Sequence, residues 1–324
     1  MAALRADAGP EWEVAVVAAP VLSDGDGRGG SPEAVPVARG AEVYIGYGLP
    51  PEVLAAARDT LRWVHSAAAG VSGSLDGLAS GGGADAGPIL TNSAGVHAEP
   101  MAEWAVGAVL HFFRGFDRVV RAQAERRWAK DDLTVVPAVL REVAGSRAAV
   151  FGLGGVGSAV ARRLVALGVS VRAVRRRPER GGPEGVEVFG PERALEALDG
   201  ADVLVVASPL TPATRGAVGA EALARLARGA VVVHLSRGKV VDEGALAEAL
   251  ASGRVGAAAL DVFAVEPLPE GHPFWTHPRV LVCPHVSGVT PRFWERELEL
   301  VLDNWARYRA GRELRNRVDL AAGY

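Results

Sequence analysis

The sequence predicts an α/β protein built on two doubly wound parallel sheets, the second inserted within the first. Three observations carry that expectation. Short Val-rich apolar runs alternate with Ala-rich helical segments along most of the chain, the pattern of parallel strands covered on both faces. The 324 residues exceed the roughly 100–200 of one ordinary domain. A last amphipathic helical pattern, Thr290 to Arg309, follows the second strand series and reads as a return to the first domain.

Taken in order, Glu13 to Ala19 (EVAVVAA) reads as a buried strand and the Gly/Asp-rich Ser23 to Ser31 as a loop. Ala41 to Tyr47 is a second strand, and Pro50-Pro51 then opens a helix, because proline is preorganised for a first helical turn. Leu61 to His65 is a third strand, followed by the small-residue run Ala67-Ala68-Ala69-Gly70. Ala79 to Gly87 reads as a loop and Ile89 to Asn92 as a short strand. Glu99 to Trp128 carries the longest helical pattern. It is apolar on more than one side, so it is either buried or covered by a partner subunit. The second series has strands at Ala148–Phe151, Val169–Val174, Val203–Ala207, Ala230–Leu235, Ala257–Leu260 and Val280–Cys283. Helical segments Ser158–Leu167, Glu221–Leu226 and Glu243–Ala251 lie between them.

Hydrophobic residues make up 49% and charged residues 23%, enough apolar material for large cores. The net charge of -3 leaves no global basic field to draw nucleic acid or an anionic membrane. One cysteine, Cys283, excludes a disulfide framework and a cysteine zinc cluster, and no metal site is expected. No apolar run reaches the ~20 residues of a membrane helix, and the start lacks a signal-peptide pattern. A cytoplasmic location is the expectation.

Gly152-Leu153-Gly154-Gly155-Val156-Gly157 is a G-x-G-x-x-G match between the strand AAVF and the helix SAVARRLVAL. With 40 glycines in the chain a bare match is weak, but this context is the one a dinucleotide needs. The first glycine makes the tight turn, the second admits the pyrophosphate, and the third lets the helix pack on the strand. The N–H groups opening the helix then face the phosphates. The second strand ends at Val174 and is followed by Arg175, Arg176 and Arg177, where an NAD site would place Asp or Glu on the ribose. Guanidinium groups there suit a 2′-phosphate, so the cofactor is NAD(P)H with a lean to NADP. A solvated basic turn is the plainer reading of the same residues.

At this point the chain resembles the D-isomer specific 2-hydroxyacid dehydrogenase family, over nearly its whole length. The resemblance is carried by Asn92-Ser93-Ala94-Gly95-Val96 with Met101-Ala102-Glu103, by Ser208-Pro209-Leu210-Thr211-Pro212, and by Ser236-Arg237-Gly238 with Val241-Asp242-Glu243. Leu260-Asp261-Val262-Phe263 with Glu266-Pro267-Leu268, and Pro284-His285 with Gly288 and Thr290, complete it. The resemblance implies a flavodoxin-like substrate domain (1–97 and 286–324) interrupted by an NAD(P)-binding Rossmann domain (98–285). It implies hydride transfer between NAD(P)H and C2 of a small 2-keto or 2-hydroxy acid of the hydroxypyruvate, glyoxylate or phosphohydroxypyruvate type.

The same resemblance implies a catalytic trio. His285 would be the acid/base, because imidazole titrates near the working pH. Glu266 would steady its other ring nitrogen, and Arg237 would offer a planar fork to the substrate carboxylate and keto oxygen. Backbone N–H groups at Ala69 and Gly70 would receive the carboxylate, with Arg237 and His285 completing the substrate site. Pro209, Ser236, Asp261 and Ser287 would border the cofactor beside Gly152, Gly154, Gly155, Val156, Gly157, Arg175 and Arg176. Two departures stand out: Ser72 where the family often has Asp, and Arg175 where an acid would hold the ribose. His65 and His97 are specificity candidates, and the other histidines are ordinary core or surface residues. A homodimer through the 98–128 helix is expected.

Two other readings keep parts of the pattern. A dinucleotide-sensing corepressor or scaffold of the same fold would not need the trio. A methyltransferase with a similar glycine loop would leave the trio and Asp261 unexplained. Binding of NAD(P)H against S-adenosylmethionine separates the last.

Overall fold

The computed structural model describes residues 2–17, 30–80, 87–134, 140–320 and 322–323. The chain divides into two compact units, residues 1–97 with 290–324 and residues 98–289.

In the first unit the strands β1 (Val43–Gly46), β2 (Trp63–Ser66) and β3 (Ile89–Asn92) form a parallel sheet in the order β1-β2-β3. Every residue of β2 is buried, as a central strand covered on both faces requires. Helix α1 (Ala2–Ala8) precedes the sheet, and α2 (Ala34–Val37), α3 (Pro51–Ala56) and α4 (Ser72–Ser80) lie between or beside its strands in sequence. Pro51 stands at the first turn of α3.

Two expectations are corrected here. Residues 13–17 pair with no strand among the described residues: Val14 and Val17 are half-buried by side-chain packing against the Trp63 and Leu49 clusters instead. Residues 18 and 19 lie outside the described residues, as do 23–29 of the expected first loop. The expected loop at 79–87 starts within α4, whose last turn takes Ala79 and Ser80, and 81–86 are not described.

The second unit opens with α5 (Ala98–Phe113), α6 (Phe116–Ala124) and α7 (Lys130–Thr134). The single helix expected over 99–128 is therefore two helices. Gly115, at φ 69°, takes the left-handed backbone that glycine adopts without a Cβ penalty, and the chain turns there. Ala102, Ala105, Ala108 and Val109 of α5 join one core with Ala159, Val160 and Leu164 of α8 (Gly155–Ala166). Small side chains let the two helices approach closely, and each fully buried leucine such as Leu164 contributes roughly 1.5–3 kcal/mol.

Seven parallel strands follow: β4 (Arg147–Phe151), β5 (Ser170–Val174), β6 (Val186–Phe189), β7 (Val203–Val206), β8 (Ala230–His234), β9 (Val255–Leu260) and β10 (Val280–Val282). Their order is β10-β9-β8-β7-β4-β5-β6. The chain builds outward from β4 through β5 to β6, then returns to β7 on the other side of β4. That reversal is the switch point of a doubly wound sheet, and ligands bind there at the carboxyl ends. β6 has no counterpart in the sequence reading. It is an edge strand, VEVF, with a charged residue in a run too short to show a period. Helices α9 (Ala194–Leu198), α10 (Ala220–Arg225) and α11 (Glu243–Ala251) complete the unit. Then α12 (Phe293–Arg309) returns to the first unit, burying Leu300, Val301 and Trp305. No helix among the described residues is long and apolar enough to cross a membrane.

Candidate active site

The residues singled out in the second unit follow the carboxyl ends of its strands: Gly152 after β4, Arg175 after β5, Ser208 and Pro209 after β7. Ser236 and Arg237 follow β8, Asp261 and Glu266 follow β9, and His285 with Ser287 follows β10.

At the switch point the three glycines do different work. Gly152 has φ 107°, and a Cβ there would stand 2.5 Å from the backbone nitrogen of Ser208. A Cβ on Gly157 would overlap the Gly152 carbonyl oxygen, so that glycine is needed for α8 to seat on β4. A Cβ on Gly154 would meet nothing within 4 Å. Gly154 caps α8 without a side-chain hydrogen bond, and the first turn has no acidic residue. The N–H groups of Gly155 and Val156, which open α8, have no acceptor among the described residues and stand at the positive end of the helix dipole. Two hydroxyls border the same sheet edge: Ser208 Oγ and Ser236 Oγ are buried and have no hydrogen-bond partner among the described residues. Unsatisfied buried hydroxyls cost stability unless a ligand engages them. Free helix N–H groups, an open glycine and unengaged hydroxyls fit a dinucleotide.

Arg175 is half-buried and its guanidinium donates to the carbonyl of Gly181, while Arg176 is exposed. Pro209 is exposed, and its carbonyl accepts from Thr214 Oγ1 at 2.7 Å. His234, fully buried at the end of β8, is held neutral: burial pushes its pKa down to about 4.

Glu266 and His285 meet. Glu266 Oε2 lies 2.8 Å from His285 Nδ1, and Oε1 accepts the Phe263 N–H at 2.8 Å. The hydrogen bond to Glu266 raises the His285 pKa, against the opposing pull of burial. Burial works to raise the Glu266 pKa, but its hydrogen bonds from His285 and Phe263 N–H outweigh it and hold the carboxyl below the ordinary range. The charge of Arg237 reaches both groups, and its Nη1 also donates to the Ser236 carbonyl at 2.8 Å. The turn carrying Arg237 can sit there because Gly238 lies against the backbone of Phe263 and Ala264, where a Cβ would overlap them. Glu243 Oε1 accepts the Ala264 N–H at 2.7 Å, fixing the loop that presents Glu266.

His285 has φ 54°, unusual for a residue other than glycine. The strain is held by one neighbour. The Asp261 carbonyl accepts the His285 N–H at 3.0 Å, and the Asp261 carboxylate accepts Val286 N–H at 2.8 Å, Ser287 N–H at 3.1 Å and the Ser287 hydroxyl. Asp261 and Ser287 are buried and satisfied by one another, an arrangement that aims the His285 ring. Cys283 is half-buried, and burial followed by the Asp261 charge pushes its thiol up.

In the first unit the turn after β2 has its carbonyls tied down. Ser66 O accepts from Ser93 Oγ, Ala68 O from Ser93 N–H and Ala69 O from Asn92 Nδ2. Ala69 is exposed and Gly70 half-buried, and neither N–H has an acceptor among the described residues. His65 is fully buried, with Nε2 2.8 Å from Glu297 Oε1 and Nδ1 2.8 Å from Thr91 Oγ1. It does not face out as a specificity residue would. His97 stacks on Phe293, ring centroids 5.0 Å apart. The sequence reading passed over Glu297, although its signal was legible: a carboxylate on the stripe of α12 that also carries Leu300, Val301 and Trp305.

A reversed parallel sheet, a glycine-lined helix start and an imidazole–carboxylate pair at the same strand ends define a dinucleotide-dependent oxidoreductase. Comparison with known proteins narrows the class. The family described as D-isomer specific 2-hydroxyacid dehydrogenase, NAD binding domain, matches residues 106–287. A glyoxylate/hydroxypyruvate reductase A of Serratia proteamaculans is 34% identical over 284 residues, 85% of each chain. The crystal structure of a D-isomer specific 2-hydroxyacid dehydrogenase from Xanthobacter autotrophicus, in complex with NADPH and MES, superposes with TM-score 0.78 at 34% identity, covering 100% of this chain and 94% of that one. An NADPH-dependent glyoxylate/hydroxypyruvate reductase from Sinorhizobium meliloti, in complex with NADP and sulfate, gives TM-score 0.75 at 29% identity over 88% and 87% of the two chains. The chain belongs to the D-isomer specific 2-hydroxyacid dehydrogenase family. Its activity is hydride transfer between NAD(P)H and C2 of a small 2-hydroxy or 2-keto acid, and the corepressor and scaffold readings are not favoured.

Proposed function

We propose that the chain is an NADPH-preferring reductase of glyoxylate-type and hydroxypyruvate-type keto acids, with His285 as proton donor. The observation that carries this reading is the 2.8 Å contact between Glu266 and His285, on a backbone aimed by Asp261. When bound, the cofactor supplies the hydride that reaches C2. Gly154, Gly155, Val156 and Gly157 would hold its pyrophosphate, with Ser208 and Ser236 beside it, while Arg175 and Arg176 would pair with the 2′-phosphate. The NADPH and NADP complexes of the relatives support that pairing.

The chemistry follows from the site's charges. As C2 accepts hydride, its oxygen gains negative charge and needs a proton. His285, whose protonated form the Glu266 hydrogen bond favours, delivers that proton and takes it back in the reverse direction. Arg237 stabilises the developing alkoxide and orients the carboxylate. The N–H groups of Ala69 and Gly70 receive the carboxylate. The names of the relatives support small substrates. The same proposal includes a homodimer. Phe116, Val119 and Val120 form an exposed apolar stripe at i, i+3, i+4 on α6, and Trp128 is 91% exposed nearby in sequence. A cytoplasmic location suits a chain with one cysteine.

The test is a panel of glyoxylate, hydroxypyruvate, phosphohydroxypyruvate and pyruvate, each with NADPH and with NADH, on wild type and His285→Ala. Turnover of the first two with NADPH, lost in the variant, is expected. An unaffected His285→Ala enzyme sinks the assignment.

A further inference from the structure

Helix α12 carries a buried stripe in which Glu297, 3% exposed, takes a place that packing alone would give to an apolar residue. A carboxylate there costs stability unless it is fully engaged. It is only half engaged. Oε1 lies 2.8 Å from His65 Nε2 and 2.9 Å from Ser93 Oγ, while Oε2 is buried without a partner among the described residues. Asn304, two turns along the same stripe, is different. It is closed off by Arg315, whose N–H and carbonyl satisfy both ends of the amide, and needs no role beyond structure.

The groups that Glu297 touches lead to one place. Ser93 Oγ stands between Glu297 Oε1 and the Ser66 carbonyl, 2.9 Å from each, so its one hydrogen is shared between two acceptors and the hydroxyl links the helix to the turn. Ser93 N–H holds the Ala68 carbonyl at 3.2 Å. His65 is the residue before Ser66, and its other nitrogen is fixed by Thr91, which also accepts from Trp63 Nε1 at 2.9 Å. Since a peptide's carbonyl and N–H point in opposite directions, locking the Ser66, Ala68 and Ala69 carbonyls onto β3 turns the N–H groups of Ala69 and Gly70 outward.

We propose that Glu297, acting through Ser93 and His65, is a positioning residue for the turn Ala67–Gly70, holding its N–H groups where a substrate carboxylate binds. The inference rests on the reading of that turn as the carboxylate receiver, and the experiment separates the two. The double variant His65→Leu/Glu297→Leu removes the pair without leaving a lone buried charge. Such replacements are often neutral or stabilising, so the thermal midpoint is held or raised. The KM for the keto acid rises roughly 10- to 100-fold, the loss expected from a sub-ångström to ångström misplacement, while the KM for NADPH stays at the wild-type value. Glu297→Gln keeps an acceptor for His65 and Ser93 and restores most of the keto-acid affinity. A lower thermal midpoint with unchanged KM in the double variant makes the pair merely structural and overturns the proposal, as does an equal loss in the Gln and double variants. Gly70→Pro, which deletes one of the N–H groups, tests the underlying reading. If it folds, binds NADPH and leaves the keto-acid KM unchanged, the turn is not the receiver, and the proposal falls with it. A raised KM in Gly70→Pro beside a wild-type KM in the double variant overturns the role of Glu297 alone.

Discussion

Replacing Glu266 by Gln tests the site most sharply, because the two ends of the amide cannot satisfy what the carboxylate satisfies. In the wild type both oxygens accept, one from Phe263 N–H and the other at His285 Nδ1, each at 2.8 Å. A glutamine that keeps its oxygen on Phe263 turns its NH2 toward Nδ1, forcing the ring into the tautomer with the proton on Nε2. A flipped glutamine leaves two donors facing each other at Phe263. Either way one hydrogen bond to a charged group is lost, about 1.5–3 kcal/mol. His285 and Glu266 side chains are 36% and 35% exposed, so solvent screening favours the lower half of that range. At about 1.4 kcal/mol per decade, roughly 1.5–2.25 kcal/mol is about a 12- to 40-fold fall in kcat/KM for keto-acid reduction at neutral pH. The pH profile shifts as well. With His285 in its proposed role as proton donor, reduction needs imidazolium, so its rate is full below the His285 pKa and declines as pH rises through it. Glu266 raises that pKa, mainly through its hydrogen bond, so Glu266→Gln moves the declining limb to lower pH. In the oxidation direction the rising limb moves down with it, but the maximum is depressed because the wrong nitrogen carries the proton. NADPH absorbance followed with keto acid across the pH range measures both effects. A variant whose profile superimposes on wild type would refute the coupling.

Other perturbations give separate readouts. Arg175→Ala should cost roughly 10-fold or more in kcat/KM with NADPH and little with NADH, since only the former has a 2′-phosphate to lose. A parallel fall with both cofactors would contradict the assignment. Gly154→Ala should keep the thermal midpoint, because its Cβ meets no protein atom, yet weaken cofactor binding. Gly157→Ala should lower stability by about 1–3 kcal/mol through overlap with the Gly152 carbonyl. Thermal unfolding with NADPH fluorescence titration distinguishes them, and equal unfolding of both would undo the division of labour. Asp261→Asn should reduce kcat roughly 10- to 100-fold and lower the thermal midpoint by at least about 5 °C, because an amide cannot accept every N–H and O–H now aimed at the carboxylate. Normal kcat in that variant would show that the His285 backbone does not depend on Asp261.

Local chemistry made much of this molecule legible in one dimension. Val-rich runs that must be buried on both faces marked β4, β5, β7 and β8, and the strand–glycine–helix sequence marked the start of α8, because such signals are confined to a few consecutive residues. Where the deciding partner was far along the chain, the sequence was silent or misleading. The run at 13–17 has strand composition yet finds no ladder, and edge strand β6 has a poor pattern yet finds β5 beside it. The long helical pattern broke at Gly115, where conformational freedom outweighed periodicity.

For the site, the family resemblance carried by motif order pointed to Arg237, Glu266 and His285, but not to what surrounds them. That Gly238 lies against Phe263 and Ala264, that Asp261 holds a left-handed His285, and that Glu297 reaches His65 across 232 positions are matters of tertiary contact. Composition, the glycine loop and the motifs that carry the family resemblance pointed to the chemistry. Hydrogen bonds between residues distant in sequence decided where each donor points, because direction is a property of packed backbone and no single segment contains it.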